Sequence, residues 1–251
     1  MANHSGQTRA MILAAGLGTR FKPWTDQHPK ALALVNGKSL LQRNIEWLQQ
    51  SGIREVIVNV HHFADQIIDT IASNKGWGSQ ITISDEQDEV LETGGGLVKA
   101  GWYFKGSPFV LVNVDILTDL NLHQMLDQHR LGQCLATLAV TNRGTSRYFL
   151  FDEHENLCGW RNTKTGEEKG PVLNFSDAQK KTVLQKAFSG IHVIDPALLS
   201  KITRTGKFSM VDVYLDLAQK EQIRFFDHSG SKLVDVGRTE SVIVAEKLFK
   251  G

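Results

Sequence analysis

Several features that define common protein classes are scarce or missing in this sequence. Only two cysteines, Cys134 and Cys158, occur among 251 residues, and neither stands in a Cys-x-x-Cys pair. Two thiols are too few for a disulfide framework, so both are expected to be reduced core side chains of a cytoplasmic protein. No apolar run approaches the roughly 18 residues of a membrane-spanning helix, and residues 1–9 lack a signal-peptide core. The sequence therefore predicts a cytoplasmic location and no membrane partner.

An excess of charge of one sign is also missing. Lys and Arg number 28 against 27 for Asp and Glu, which gives a formal charge of +1. Nucleic-acid-binding proteins usually carry a basic excess, so no nucleic-acid partner is expected. Proline is scarce, with five residues, and no Pro- or Ser-rich linker divides the chain. Residues 1–251 are therefore interpreted as one domain with two halves, 1–120 and 121–251.

Strand and helix signals alternate along the first half. Apolar runs typical of buried strands lie at 9–15, 55–60, 80–85 and 108–115. Helical periodicity lies at 39–52 and 64–73. This alternation predicts an α/β fold with a Rossmann-like, mostly parallel sheet and helices on both faces. The second half has short strand patterns and a polar stretch at 162–182, interpreted as a long loop or hairpin tip. It is expected to form a smaller, β-rich portion.

Three unusual segments follow predicted strands of the first half. They are the glycine turn Gly16–Gly18, the Leu-Glu-Thr-Gly-Gly-Gly segment at 91–96, and Asp115. Parallel sheets of this type bind ligands at the carboxyl ends of their strands. Glycines let backbone N–H groups approach phosphate oxygens closely. Arg20 and Lys30 follow the turn, and two cations on one glycine loop suit a polyphosphate better than a single carboxylate.

The glycine turn does not fit the two common nucleotide-binding motifs. Phe21 occupies the third glycine position of Gly-x-Gly-x-x-Gly, and Leu32 occupies the first glycine position of a P-loop ending at Gly37–Ser39. We interpret Gly37–Ser39 as a turn followed by a helix cap, because serine is a favoured N-cap residue. What remains is the pattern Gly-x-Gly-Thr-Arg followed by Pro-Lys at 29–30.

This pattern resembles the signature of the sugar-1-phosphate nucleotidyltransferase family. The resemblance begins at Met11–Leu32, is weakest over 142–183, and includes 39–62, 91–100, 109–119, 188–196, 208–218 and 233–242. Members join a nucleoside triphosphate to a sugar 1-phosphate and release pyrophosphate. Three of the segments, 91–96, 188–193 and 212–218, are similar to the branch that transfers uridylyl to N-acetylmuramate 1-phosphate. The resemblance implies a role in nucleotide-sugar biosynthesis and cell-wall recycling, and no particular oligomeric state.

The resemblance also implies roles for the charged residues. Arg20 and Lys30 are the implied catalytic cations, which contact the phosphates of the triphosphate. Asp115 and Asp235 are the implied ligands of Mg²⁺, an ion that binds through one or two carboxylates plus substrate phosphates. Val114 stands where the family usually has glycine, so the backbone before Asp115 is expected to differ slightly.

The resemblance implies further positions for the nucleotide and the sugar. The nucleotide-binding positions are Leu13, Ala15, Gly16, Gly18, Thr19, Glu92 and Gly94. Glu92 is a candidate acceptor for a base N–H, and its alternative role is that of a first-turn acidic residue in a helix. The Glu-Lys-Pro segment that touches the sugar in many relatives is absent. Asn174 and Gly190 are therefore the candidates at the sugar phosphate, with Trp160 and Asn162 as weaker ones.

Several functions stay open at this point. UTP with N-acetylmuramate 1-phosphate is the favoured pair, and a guanylyltransferase for a mannose- or heptose-type 1-phosphate is the alternative. A GT-A-like glycosyltransferase can share such a sheet and a strand-end aspartate, but it needs no pyrophosphate clamp. The intact glycine loop therefore favours the nucleotidyltransferase. A non-catalytic paralogue is disfavoured, because Lys30, Asp115 and Asp235 are all present.

Overall fold

The computed structural model describes residues 7–250 of the chain. Its strands are β1 (Ala10–Leu13), β2 (Leu34–Val35), β3 (Lys38–Ser39), β4 (Glu55–Val60), β5 (Gln80–Asp85), β6 (Phe109–Asn113), β7 (Ile116–Thr118), β8 (Ala136–Thr141), β9 (Arg147–Phe151), β10 (Leu157–Asn162), β11 (Glu168–Lys169), β12 (Leu184–Ile194), β13 (Ile223–Asp227) and β14 (Leu233–Asp235). Its helices are α1 (Leu40–Gln50), α2 (Ala64–Ser73), α3 (Glu92–Ala100), α4 (Leu122–Gly132), α5 (Asp177–Thr182), α6 (Met210–Leu217) and α7 (Glu240–Leu248).

One ten-stranded sheet contains strands from both halves of the chain. In the first half, β6, β1, β4 and β5 lie side by side, and every neighbouring pair is parallel. In the second half, β12 pairs antiparallel with β6, β8 and β9. Strands β10 and β11 extend the antiparallel edge, and β13 pairs with β8 in parallel. The predicted α/β fold with a β-rich second portion is confirmed.

Alternating side chains of the central strands fill two separate cores. In β1, Ala10 and Ile12 pack in one core, whereas Met11 and Leu13 pack in the other. The first core includes side chains of α1, α2, α4 and α7. The second includes side chains of α3 and α6. Because successive strand residues face opposite sides of a sheet, this division confirms that helices cover both faces.

The polar stretch at 162–182 is more structured than expected. It contains β11, a 3-10 turn at Pro171–Asn174, and α5. A capping box begins α5: the Ser176 hydroxyl accepts from the Gln179 N–H at 3.4 Å, and the Gln179 side chain accepts from the Ser176 N–H at 2.9 Å. None of the residues of α5 is buried. Hydrophobic periodicity therefore gives no signal for this helix.

Helix α4 and strand β13 are further elements that the sequence reading did not anticipate. Leu122, Met125 and Leu126 of α4 are buried at helical spacing in the first core. Strand β13 places Ile223 and Phe225 in the second core. Both elements therefore do carry a periodic signal, which is short in β13 and interrupted by polar residues in α4.

The two thiols and the serine cap lie as predicted. Cys134 and Cys158 are free and buried. Ser39 is the N-cap of α1, and its hydroxyl accepts from the Gln42 N–H at 3.0 Å. Among residues 7–250, no helix combines the length and apolar character needed to cross a membrane.

Candidate active site

A cleft of about 460 Å³ opens where β1, β4 and β6 end. Leu13, Asn59 and Asn113, at or next to the carboxyl ends of these strands, all line it. Lys30 and Asp115 line it as well. The predicted nucleotide-binding residues found in its wall are Leu13, Ala15, Gly16, Gly18, Thr19 and Glu92. The fold thus gathers most of the predicted first-half residues around one space.

The glycine loop is held in shape by its own carbonyl at Gly18. The Thr25 hydroxyl donates to that oxygen at 3.0 Å, and the Phe21 N–H donates to it at 2.8 Å. Gly18 has φ +62°, and a Cβ there would lie 2.9 Å from the Thr25 methyl group. Both the backbone conformation and the close approach therefore require glycine. Thr25 is the threonine five positions after Arg20 in the signature, and this hydrogen bond gives it a structural role that the sequence alone did not assign.

Lys30 and Asp115 form an ion pair inside the cleft. The Lys30 Nζ donates to Asp115 Oδ2, and each side chain is only 14% exposed. Lys30 begins a 3-10 turn directly after the buried Pro29, and Asp115 follows the end of β6. The two charges come from opposite ends of the first half, so the sheet itself brings them together.

Asp235 reaches the same place through a two-stranded sheet. Strand β14 pairs antiparallel with β7, and the Val236 N–H donates to the Asp115 carbonyl at 2.8 Å. Partial desolvation, and next the neighbouring charge of Asp115, raise the pKa of Asp235, whereas Arg20 and Lys30 favour its ionised form. A carboxylate pair that repels in this way fits an oxygen-liganded divalent cation.

Arg20 lies beside Asp235, next to the Lys30–Asp115 end of the cleft, although neither Arg20 nor Asp235 lines the cleft itself. A Cβ on Gly237 would lie 3.0 Å from the Arg20 Nη2 and 2.7 Å from the Asp235 Oδ1. Gly237 therefore leaves the space that both side chains occupy. This glycine follows Asp235 by two positions and was not singled out from the sequence. The four predicted charged residues, Arg20, Lys30, Asp115 and Asp235, thus meet at one end of the cleft.

A buried amide–carboxyl contact supports the opposite wall of the cleft. Asn59 Oδ1 accepts from the Ala14 N–H at 2.7 Å, and Asn59 Nδ2 donates to Glu86 Oε1 at 2.8 Å. Glu86 is 1% exposed, and burial raises its pKa. A Cβ on Gly96 would meet the Glu86 Oε1 at 2.7 Å. The sequence reading missed this contact because its members are distant in sequence.

The triple glycine of α3 packs against a second-half loop. The Gly94 N–H donates to the Phe208 carbonyl at 2.9 Å, and a Cβ on Gly94 would lie 2.5 Å from the Phe208 ring. Gly94 does not line the cleft, so its predicted contact with the nucleotide stays a prediction. The loop also brings Lys207 to the cleft wall, 3.9 Å from Glu92 Oε1. Glu92 has φ +58°, which is uncommon for a residue other than glycine.

The two sugar-phosphate candidates do not lie in the cleft wall. Asn174 ends a 3-10 turn that packs on β10, and it lines shallow surface depressions with Pro171 and Gln219. Its assignment to the sugar phosphate therefore stays a prediction, which no place in the cleft wall supports. Gly190 has φ +74° in a bulge of β12, and a Cβ there would lie 2.8 Å from the Asn113 Nδ2. Gly190 therefore leaves room for Asn113, which lines the cleft. Its predicted place at the sugar phosphate stays a prediction.

A comparison with models of known protein families assigns this chain to a family. Residues 9–155, more than half of the chain, match the model of the nucleotidyl transferase family. This chain belongs to the nucleotidyl transferase family. The resemblance described from the sequence is thereby confirmed, and the chain is a nucleotidyltransferase.

Two relatives show how the similarity is distributed. An N-acetylmuramate alpha-1-phosphate uridylyltransferase of Caulobacter vibrioides is 42% identical over 218 residues, 83% of this chain and 84% of the relative. A mannose-1-phosphate guanylyltransferase catalytic subunit beta of Drosophila melanogaster is 27% identical over 246 residues, 96% of this chain and 63% of the relative. The chain therefore spans less than two thirds of the second relative's length.

Two solved structures share the fold of this nucleotidyltransferase. HddC from Yersinia pseudotuberculosis, complexed with GMP-PN, has a TM-score of 0.74 at 22% identity, over 97% of this chain and 100% of that one. A UDP-glucose pyrophosphorylase complexed with UDP-glucose has a TM-score of 0.74 at 17% identity, over 96% and 98%. At these identities the likeness establishes the common architecture.

Proposed function

We propose that this nucleotidyltransferase joins UTP to N-acetylmuramate 1-phosphate, giving the uridine-diphosphate sugar and pyrophosphate. The observation that supports the reaction class is the meeting of Arg20, Lys30, Asp115 and Asp235 at one end of the cleft. The 42% identity to the Caulobacter uridylyltransferase supports the substrate pair. We place this reaction in the cytoplasm, in the reuse of cell-wall sugars.

The proposed chemistry needs no enzyme nucleophile. A phosphate oxygen of the sugar 1-phosphate attacks the α-phosphorus of the triphosphate. The bond from that phosphorus to the bridging oxygen breaks, and pyrophosphate leaves with the electron pair. We assign no general base, because a phosphate monoester is largely ionised at neutral pH. The enzyme's task is to bring two anions together in line.

The residues at the charged end of the cleft, Arg20, Lys30, Asp115 and Asp235, have different roles in bringing the two anions together. Arg20 offers a planar guanidinium to the phosphates, and Lys30 offers a point charge once it leaves Asp115. The backbone N–H groups of the glycine loop add dipoles directed at phosphate oxygens. Asp115 and Asp235 would hold Mg²⁺, which supplies positive charge at the reacting phosphates when bound. The main-chain groups of Leu13 and Ala15 are assigned to the base.

One relative supports a second substrate pair. The guanylyltransferase of Drosophila melanogaster aligns with 96% of this chain at 27% identity. GTP with a mannose- or heptose-type 1-phosphate is therefore the alternative. In that case the wall formed by Glu92 and the Asn59–Glu86 contact would have to accept a purine.

Pyrophosphate release tests the proposal directly. The enzyme is assayed with Mg²⁺ over a grid of UTP, GTP, dTTP, CTP and ATP against N-acetylmuramate, N-acetylglucosamine, glucose and mannose 1-phosphates. The proposal expects the strongest signal for UTP with N-acetylmuramate 1-phosphate, and loss of signal with a chelator that excess Mg²⁺ reverses. A stronger signal for GTP with mannose 1-phosphate would select the alternative. Transfer from a finished nucleotide sugar, with no pyrophosphate, would indicate a glycosyltransferase.

A further inference from the structure

The second half presents one more cation beside the carboxylate pair. Arg143 lies in the connection between β8 and β9, and its side chain is exposed. Its Nη2 donates to the Phe188 carbonyl at 2.9 Å. This bond uses one edge of the guanidinium and ties it to β12, so the remaining N–H groups keep a defined direction toward solvent.

The backbone before Arg143 is fixed as well. The Asn142 N–H donates to the Ser229 hydroxyl at 2.9 Å. Lys186 Nζ donates to the Asn142 Oδ1 at 2.8 Å and to the Asp227 Oδ2 at 2.6 Å. These contacts join three separate segments of the second half. Arg143 is therefore carried on a pre-organised support, unlike a freely rotating surface arginine.

The support places Arg143 next to the reacting end of the cleft. Phe188, which holds the guanidinium, begins the bulge of β12, and Gly190 in that bulge abuts Asn113 of the cleft wall. The charge of Arg143 also reaches Asp235, where it favours the ionised carboxylate and acts to lower its pKa. Arg143 does not itself line the cleft. It acts on Asp235 from the second half, beside the bulge that contacts Asn113 of the cleft wall.

The charge balance of the proposed reaction calls for such a residue. A triphosphate and a sugar 1-phosphate meet beside two aspartates, and Arg20 and Lys30 are assigned to the triphosphate. Within residues 7–250, the cations whose charge acts on Asp235 are Arg20, Lys30 and Arg143. The sequence also lacks the Glu-Lys-Pro lysine of many relatives. Lys207, the second-half cation of the cleft wall, lies 3.9 Å from Glu92 Oε1. Arg143 is therefore the second-half cation whose charge acts at the carboxylate end of the cleft.

We propose that Arg143 binds an oxyanion of the sugar substrate, either its 1-phosphate or the carboxylate of a sugar acid. A guanidinium matches both groups, because its fork can make two parallel hydrogen bonds to one phosphate or carboxylate. This assignment rests on the proposed function and names the residue that recognises its second substrate. It also explains how a chain without the Glu-Lys-Pro segment holds that substrate.

Steady-state kinetics of Arg143→Ala test the assignment. Loss of a charge-assisted hydrogen bond costs about 1.5–3 kcal/mol, so KM for N-acetylmuramate 1-phosphate is expected to rise roughly 10- to 100-fold. KM for UTP is expected to stay within about 2-fold. Arg143→Lys keeps the charge without the fork, and its KM is expected to fall between those of wild type and Arg143→Ala. Arg130→Ala, which removes an exposed arginine of α4, is the matched control.

A second substrate separates the two oxyanions. N-acetylglucosamine 1-phosphate lacks the lactyl carboxylate of N-acetylmuramate 1-phosphate but keeps the phosphate. An equal rise in KM for both sugars identifies the phosphate as the partner of Arg143. A rise confined to N-acetylmuramate 1-phosphate identifies the carboxylate. Unchanged KM for both sugars, or an equal rise in KM for UTP, would overturn the assignment.

The activity of the wild-type enzyme distinguishes a failure of the Arg143 assignment from a failure of the proposed function. If wild type is inactive with UTP and N-acetylmuramate 1-phosphate but active with another pair, the proposed substrates are wrong. Arg143 is then tested with the active sugar, by the same comparison of the two KM values. If the wild-type enzyme releases no pyrophosphate with any substrate pair, both the proposed function and the Arg143 assignment are wrong. An unchanged thermal unfolding midpoint of Arg143→Ala shows that the variant is folded.

Discussion

The two halves of the chain build the cleft in different ways. In the first half, the glycine loop, Lys30 and Asp115 follow strands in the parallel part of the sheet, and each sits in a short local motif. In the second half, Asp235 ends β14, whereas Lys207 and Arg143 lie in two separate connections of a mainly antiparallel region. The proposed phosphate site is thus encoded locally, whereas the side expected to hold the sugar depends on tertiary packing.

Backbone geometry shows the same contrast. The first-half glycine loop is closed by bonds within Gly18–Thr25. The second half relies on a bulge in β12, where Gly190 has φ +74° and abuts Asn113 across a strand pair. A local loop keeps its shape from its own residues, but the bulge keeps its shape only while both strands are in place. Substitutions in the glycine loop and in the β12 bulge can therefore show how much each half of the cleft depends on local bonds and on strand pairing.

Removing the first-half charge pair is expected to have the largest effect. Lys30→Ala or Asp115→Asn removes a group that acts on the reacting phosphates, so turnover should fall about 100-fold or more. Pyrophosphate release at saturating substrates measures it. Lys38→Ala, which breaks a 2.8 Å ion pair with Glu46 on the surface, is the matched control and should stay within about 2-fold. Near-normal turnover of either site variant would refute its role.

Much of the first half could be predicted from the sequence for a physical reason. A parallel strand is a continuous apolar run, and the turn after it must meet strict phosphate geometry, so both leave a local signal. The Asn59–Glu86 contact left none, because Asn59 is on β4 and Glu86 follows β5. The segment of Asn174 matched no motif either, and only the packing of its 3-10 turn on β10 places it outside the cleft wall.

The β12 bulge should be the most sensitive backbone position of the second half. Gly190→Ala must strain the positive φ and push Asn113, so the free energy of unfolding should fall by about 1–3 kcal/mol. Turnover should fall roughly 10-fold as the cleft wall shifts. Gly166→Ala is the control, since Gly166 has φ +73° but no atom within 4 Å of the place a Cβ would take. If Gly190→Ala and Gly166→Ala lower the free energy of unfolding equally in urea, backbone strain alone, and not the contact with Asn113, explains the need for glycine at position 190.

A pH comparison should reveal the buried carboxyl group in the first-half wall. Burial raises the pKa of Glu86 above 4.5, against smaller opposing effects of Asn59, Leu91, Lys99 and His61. Stability from a raised pKa is fully present below the unfolded value and is lost as pH rises through the folded value. Wild type should therefore lose free energy of unfolding relative to Glu86→Gln as the pH rises above about 4.5.

Urea unfolding at several pH values measures that difference. Glu89→Gln, which changes an exposed carboxylate three residues away, should show no such trend against wild type. A wild-type protein that gains stability over Glu86→Gln as the pH rises would contradict the direction of the shift. It would mean that Glu86 is ionised in the fold and stabilised by Lys99 or His61.

Asn174→Ala should have the smallest effect and thereby sharpen the contrast between the halves. Asn174 lies in a surface depression outside the cleft wall, so each KM and kcat should stay within about 2-fold of wild type. Arg143→Ala measured beside it is the positive comparison within the same half. A selective rise in KM for the sugar on changing Asn174 would mean that the segment 171–182 moves onto the substrate. The second half would then bind the sugar by closing over it, and the residues of the sugar site could be identified only in a substrate-bound structure.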